Sequence, residues 1–143
     1  MAPRQRRTRT RLIAIDRREL AAIFVGGAIG GATRTGLSQL APTHAGHWPW
    51  VTFAVNIAGC LLLGYFVTRL QERLPISAYR RPLLGTGICG GLTTFSTFQL
   101  ELLRMLDGGR LGLAVLYAAL SIAAGFAGVA LGTSVVRRAR LTW

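Results

Sequence analysis

The chain has 143 residues, 51% of them hydrophobic, and a mean hydropathy of +0.42, which fits one membrane domain and leaves no room for a separate soluble one. Its net charge of +12 rests on arginine alone, and almost all of the arginines flank apolar stretches instead of forming one face. That distribution indicates membrane topology and anionic headgroups and argues against nucleic acid as a partner.

Four stretches are each long enough, or nearly so, to cross about 30 Å of hydrocarbon as helices: Leu20–Leu40, Trp50–Thr68, Leu83–Leu106 and Leu111–Val136. Short linkers favour antiparallel neighbours. The expected organisation is an arginine-rich cytoplasmic arm (1–19), a four-helix membrane domain (20–136) and a cytoplasmic tail (137–143). The arm carries Arg4, Arg6, Arg7, Arg9, Arg11, Arg17 and Arg18. It has the charge of a secretory signal, but the apolar run after it exceeds a signal core and lacks a convincing cleavage site.

In the first span Gly26/Gly30 and Gly27/Gly31 share a four-residue spacing, which lets another helix approach closely. Arg34 follows near the outer end, placed to reach headgroups or to concentrate anions at a pore mouth. The loop with His44, His47, Trp48, Pro49 and Trp50 lacks further metal ligands and reads as an interfacial aromatic anchor. Thr52 and Asn56 share a face of the second span. The Asn56 amide suits either a helix–helix hydrogen bond or an NH₂ offered to an anion.

The third span holds the unusual chemistry: Gly-Thr-Gly-Ile-Cys-Gly-Gly-Leu-Thr-Thr-Phe-Ser-Thr-Phe-Gln-Leu-Glu from Gly85 to Glu101. Glycine pairs and clustered hydroxyls in an apolar span predict a broken helix. At membrane depth such a break survives only inside protein, lining a cavity or holding an ion. Thr93, Thr94, Ser96 and Thr97 can satisfy freed backbone groups or an ion. Phe95 and Phe98 fall on one face if helix resumes, and the positive edge of an aromatic ring attracts an anion without formal charge. Glu101 is expected near the interface, snorkelling or paired with Arg104. In the fourth span Tyr117, Ser121 and Gly125 recur every four residues, with Gly128 and Gly132 as a packing edge. Cys60 and Cys89 read as small buried side chains.

The arginines at 4–18, at Arg69, Arg73, Arg80 and Arg81, and at Arg137, Arg138 and Arg140 alternate with poorly charged connections, which places both termini in the cytoplasm. Two competing functions are a proton-coupled small multidrug-type transporter, which needs a titratable carboxylate deep in a span, and a non-transporting membrane scaffold. The scaffold explains the glycine spacings but not Asn56 or Thr93–Phe98.

The chain resembles the Fluc family of fluoride channels, also known as CrcB proteins. The resemblance covers about Gly26 to Gly132 and is strongest at Gly-Gly-Leu-Thr-Thr-Phe-Ser-Thr-Phe, Gly90–Phe98. Asn56 with Gly59, and Gly30 with Arg34, match in order and spacing. It implies an all-α antiparallel dimer of four-helix subunits with a broken third helix, in the cell membrane, passively exporting fluoride through two pores. Phe95 and Phe98 would contact the ion by ring edges. Asn56 would line the pore, with Thr94, Ser96, Tyr117 and Ser121 as candidates for a hydroxyl track. A sodium ion at the dimer centre would be held by the backbone carbonyls of Gly90 and Thr93.

Gly31, Thr35, Cys60 and Gly125 depart from the usual family pattern without touching the phenylalanines or Asn56. The arginine bias departs further. Self-pairing in opposite orientations goes with little charge asymmetry, so pairing with an inverted paralogue is expected in preference to pairing with itself.

Overall fold

The computed structural model describes residues 16–40, 47–72 and 79–139. Most of the expected arm, His44, Arg73 and the tail from Arg140 lie outside the described residues.

Within them all regular structure is helical: α1 (Arg17–Leu40), α2 (Trp50–Glu72), a π-helical segment (Pro82–Cys89) running into the single turn α3 (Gly90–Leu92), α4 (Phe95–Asp107) and α5 (Leu111–Arg138). α1, α2 and α5 are long and apolar enough to cross a membrane. They extend past the expected ends by a few residues. Leu, Gln, Glu and Arg after Thr68, and the arginines after Val136, are good helix formers with nothing to stop them.

The stretch expected as a third span is in two pieces. Pro82 opens the first, where its missing N–H costs nothing, and Leu83 N donates to Tyr79 O at 2.9 Å. The chain leaves helical geometry at Thr93 (φ −76°, ψ 153°) and Thr94 (φ −143°, ψ 117°), two adjacent β-branched residues of low helix propensity. Thr94 then starts α4 as its N-cap, its Oγ1 accepting from Thr97 N at 3.2 Å. α4 closes at Gly109, whose φ of +70° only glycine adopts without strain, and Arg110 N donates back to Met105 O at 2.8 Å.

Glycine sets the packing. α1 lies on the π-helical segment, and a methyl group at Gly26 would stand 2.9 Å from Gly87 Cα. Gly26 and Gly30 are buried there, as their spacing predicts. The open sides of Gly27 and Gly31 meet nothing within 4 Å, yet their backbones receive Gly91. α5 lies along α2: Gly128 and Gly132 face the Ile57 and Leu61 carbonyls, and Gly64 faces Val129. Close backbone approach of this kind provides association where lipid removes the hydrophobic drive between helices.

The core is small. Met105, Ala114 and Tyr117 form it, with Trp48, Phe53, Phe98, Leu102 and Leu113 packed around them. The exterior, by contrast, is apolar: Phe24 and Phe126 are each 76% exposed, which suits hydrocarbon or another helix better than water.

Candidate functional site

The interruption at Thr93–Thr94 frees backbone groups that a membrane cannot satisfy, and side chains from two other helices take them. Asn56 on α2 donates from Nδ2 to Thr94 O at 3.1 Å, while its Oδ1 accepts from Thr94 N at 2.8 Å. One amide thus holds both polar groups of the extended residue. This is the helix–helix hydrogen bond, the first of the two roles its position suggests. The amide carries two N–H groups, and Thr94 O takes one.

Around this clamp the hydroxyls turn inward. Thr94 Oγ1 donates to Thr97 Oγ1 at 2.9 Å and lies 3.4 Å from Ser96 Oγ. Thr93 Oγ1 donates to Cys89 O at 3.0 Å and approaches Gly90 O at 3.5 Å. Gly59 on α2 lacks the Cβ that would collide with the Thr93 methyl. Arg34 Nε, half-buried on α1, donates to Gly91 O at 3.3 Å. Its expected roles were headgroup or anion contact, and the structure gives it the turn before the break.

A cleft of about 390 Å³ opens beside the clamp, with Asn56, Thr93, Thr94, Phe95, Phe98 and Ser121 in its wall together with Gly59, Cys60, Cys89 and Gly90. Most of the residues expected to form a site therefore meet in one place. The Phe95 and Phe98 rings stack with centroids 6.2 Å apart and planes 29° apart. Phe95 is 70% exposed, leaving one side of this pair uncovered by its own chain. Ser121 Oγ is buried and makes no hydrogen bond among the described residues. Both cysteines are free thiols in the cleft wall. Apolar walls with a few convergent polar groups are the usual make-up of a small-ligand site.

Ser96, Tyr117 and Arg34 are not in that wall. Ser96 is exposed at the start of α4. Tyr117 is fully buried, and its hydroxyl donates to Glu101 Oε2 at 2.7 Å. Thr52 Oγ1 donates to Glu101 Oε1 at 2.6 Å. Glu101 is 8% exposed, which corrects the expectation of an interfacial, snorkelling carboxylate paired with Arg104. It sits mid-way along α4 between α2 and α5, whereas Arg104, one turn further on, is exposed and forms no ion pair with it among the described residues. Two hydroxyls, one for each carboxylate oxygen, take the place of a cation.

Trp48, in the loop expected to be an interfacial aromatic anchor, also packs against the core. Its ring meets Tyr117 edge-on at 5.2 Å and Phe53 at 5.4 Å, so it belongs to the core. Phe98 lies 5.1 Å from the Tyr117 ring, which joins the cleft to this aromatic cluster. Glu101 and Trp48 are the participants that sequence reading missed. For Glu101 the signal was its distance from either end of an apolar helix, together with Thr52 and Tyr117, two hydroxyls lacking partners of their own.

These features define an all-helical membrane protein whose interrupted segment, braced by side chains, walls a cleft with hydroxyls, an amide and two phenylalanines. The family described as "CrcB-like protein, Camphor Resistance (CrcB)" matches residues 21–133, and the chain belongs to that family. Among its relatives, "Fluoride-specific ion channel FluC 1" of Mycolicibacterium paratuberculosis is 60% identical over 126 residues, covering 88% of this chain and 96% of the relative. The protein of the same name from Mycobacterium tuberculosis is 57% identical with the same coverage. "Fluoride-specific ion channel FluC 2" of Nocardia farcinica is 40% identical over 127 residues, covering 89% of this chain and 91% of that one.

Proposed function

We propose that this chain is a subunit of a fluoride-selective ion channel that passively exports fluoride, and not an enzyme. The observation that carries the reading is the convergence of Asn56, Thr94, Ser121 and the stacked Phe95–Phe98 pair on one cleft, in a chain 60% identical to a protein named as a fluoride-specific channel. Fluoride is small, strongly hydrated and avid for hydrogen bonds. An amide N–H, hydroxyls and ring edges replace its water, while weak individual contacts let it leave again. Loss of cytoplasmic fluoride is driven by a negative cell interior.

In this reading the segments at 82–92 and 95–107 together make a third, broken crossing, which completes a four-helix subunit. Ser96 then belongs to the approach to the cleft, Tyr117 stands behind it against Phe98, and Arg34 acts first as a brace on the break. The exposure of Phe95 supports pairing with a second subunit in antiparallel fashion. Opposed copies would cover the open side of the ring pair. The arginine asymmetry favours an inverted paralogue over a second identical chain.

The backbone oxygens near the break suit a hard cation such as sodium in kind. Among the described residues, the extended geometry at Thr93 leaves Gly90 O with the long 3.5 Å contact from Thr93 Oγ1. Gly90 and Thr93 would hold the ion together with the same residues of an opposed subunit, since one chain alone offers too few oxygens. A bound sodium would offset the mutual repulsion of carbonyl groups brought together there.

Buried Glu101 is the one observation that favours the proton-coupled alternative. Fluoride efflux from liposomes separates the two. A channel runs down the fluoride gradient at equal pH on both sides, and a coupled exchanger moves protons in proportion. Equal-pH fluoride efflux, absent from Phe98→Ile, is the expected result. Proton movement in fixed proportion to that efflux would overturn the channel reading.

A further inference from the structure

The end of the molecule where α1 begins and α2 and α5 finish carries Arg17, Arg18, Arg69, Arg80, Arg81, Arg137 and Arg138, all exposed. Contacts tie these helix ends together. Arg137 Nε pairs with Glu72 Oε1 at 3.2 Å, and Thr68 Oγ1 donates to Thr133 Oγ1 at 3.3 Å. Two of the arginines are held by tyrosines. Arg18 Nη1 donates to Tyr79 OH at 3.1 Å, and Arg69 Nη1 to Tyr65 OH at 3.0 Å, with its guanidinium 5.7 Å from that ring centre. A hydroxyl or a ring face orients a guanidinium without neutralising it. The local carboxylates are only Asp16, Glu19 and Glu72, so this end keeps a large positive excess. The opposite end has Arg104 and Arg110 beside Asp107, while Arg34 is turned to Gly91 O.

We infer that this arginine face binds the headgroups of anionic phospholipids in the adjoining leaflet. The planar guanidinium fork matches a phosphodiester bidentately. The arginines lie at the ends of apolar helices, level with tyrosines, which is headgroup depth. A nucleic acid or an acidic protein would have to reach that depth through the headgroups themselves. The inference rests on membrane placement alone and does not depend on which ion the cleft carries.

Native mass spectrometry of the purified full chain, offered equal phosphatidylglycerol and phosphatidylcholine, tests it. At about 1 kcal/mol for each arginine near a charged surface, several together give a preference for phosphatidylglycerol of at least about tenfold. That preference should shrink as salt is raised. Replacing Arg69, Arg80 and Arg81 by Gln should cut it several-fold, and replacing Arg104 and Arg110 by Gln should leave it intact. Equal retention of both lipids by the wild type would overturn the inference. So would equal loss in the two variants, which would assign the effect to net charge. Displacement of the lipid by millimolar inorganic phosphate at constant ionic strength would also overturn it, in favour of a free-phosphate site. Should the triple variant fail to fold, the salt series and the phosphate competition on the wild type decide.

Discussion

Asn56 clamps Thr94 and, in the proposed channel, offers an N–H to the ion, and different substitutions pull these two roles apart. Asn56→Leu strips Thr94 of partners for both its N–H and its C=O, and each bare buried group costs about 1–3 kcal/mol. A clear fall in melting temperature in detergent is the expected outcome. Asn56→Asp keeps an acceptor for Thr94 N but puts a carboxylate in the cleft wall. It should retain more stability than the leucine variant and still lose fluoride flux. Equal flux in Asn56→Asp and wild type would remove the amide from the ion path. Tyr117→Phe takes one of two donors from buried Glu101, which predicts a destabilisation of about 1–3 kcal/mol. An unchanged melting curve would show that the carboxylate draws its stability from elsewhere.

At the scale of elements the glycines supply the sharpest contrast. A side chain at Gly87 would meet Gly26 Cα at 2.8 Å and Ile23 O at 3.0 Å. Both are backbone atoms that cannot step aside, so Gly87→Val should separate α1 from the π-helical segment. Gly27→Ala places its methyl where nothing lies within 4 Å and should leave the fold unaltered. Helix content and melting of the two purified variants check this, and comparable behaviour would contradict the packing described. The same contrast shows what the sequence could reveal. Four-residue spacing pointed to close packing on both Gly26/Gly30 and Gly27/Gly31, but spacing alone does not choose between adjacent helix faces. The interrupted segment was legible because Gly90-Gly91 and the paired threonines contradict an apolar span. Its π-helical opening was not, since nothing local in Pro82–Cys89 distinguishes i→i+5 from i→i+4 bonding. The buried triad of Thr52, Glu101 and Tyr117 was hidden for another reason. Its members sit on three different helices, and only the packing of α2, α4 and α5 brings them within hydrogen-bonding distance.

For the whole molecule, charge asymmetry and pairing are linked. The arginine-rich end and the sparsely charged end predict insertion in one orientation, with both termini cytoplasmic. Cysteines placed at Ala2 and Thr142 in a chain whose Cys60 and Cys89 are replaced by serine should be labelled from the cytoplasmic side only. Equal labelling from both membrane faces would dispose of the one-way insertion and, with it, the case for an inverted paralogue as partner.

Discharge of fluoride-loaded liposomes by the purified protein, read with a fluoride electrode at equal pH on both sides, tests the central claim most directly, because detergent reconstitution admits both orientations. Rapid fluoride efflux without matching chloride efflux, lost in Phe98→Ile while the variant stays folded and assembled, is the result expected of ring edges and hydroxyls lining the ion's route. Equal chloride efflux, or full fluoride efflux in the isoleucine variant, would contradict it.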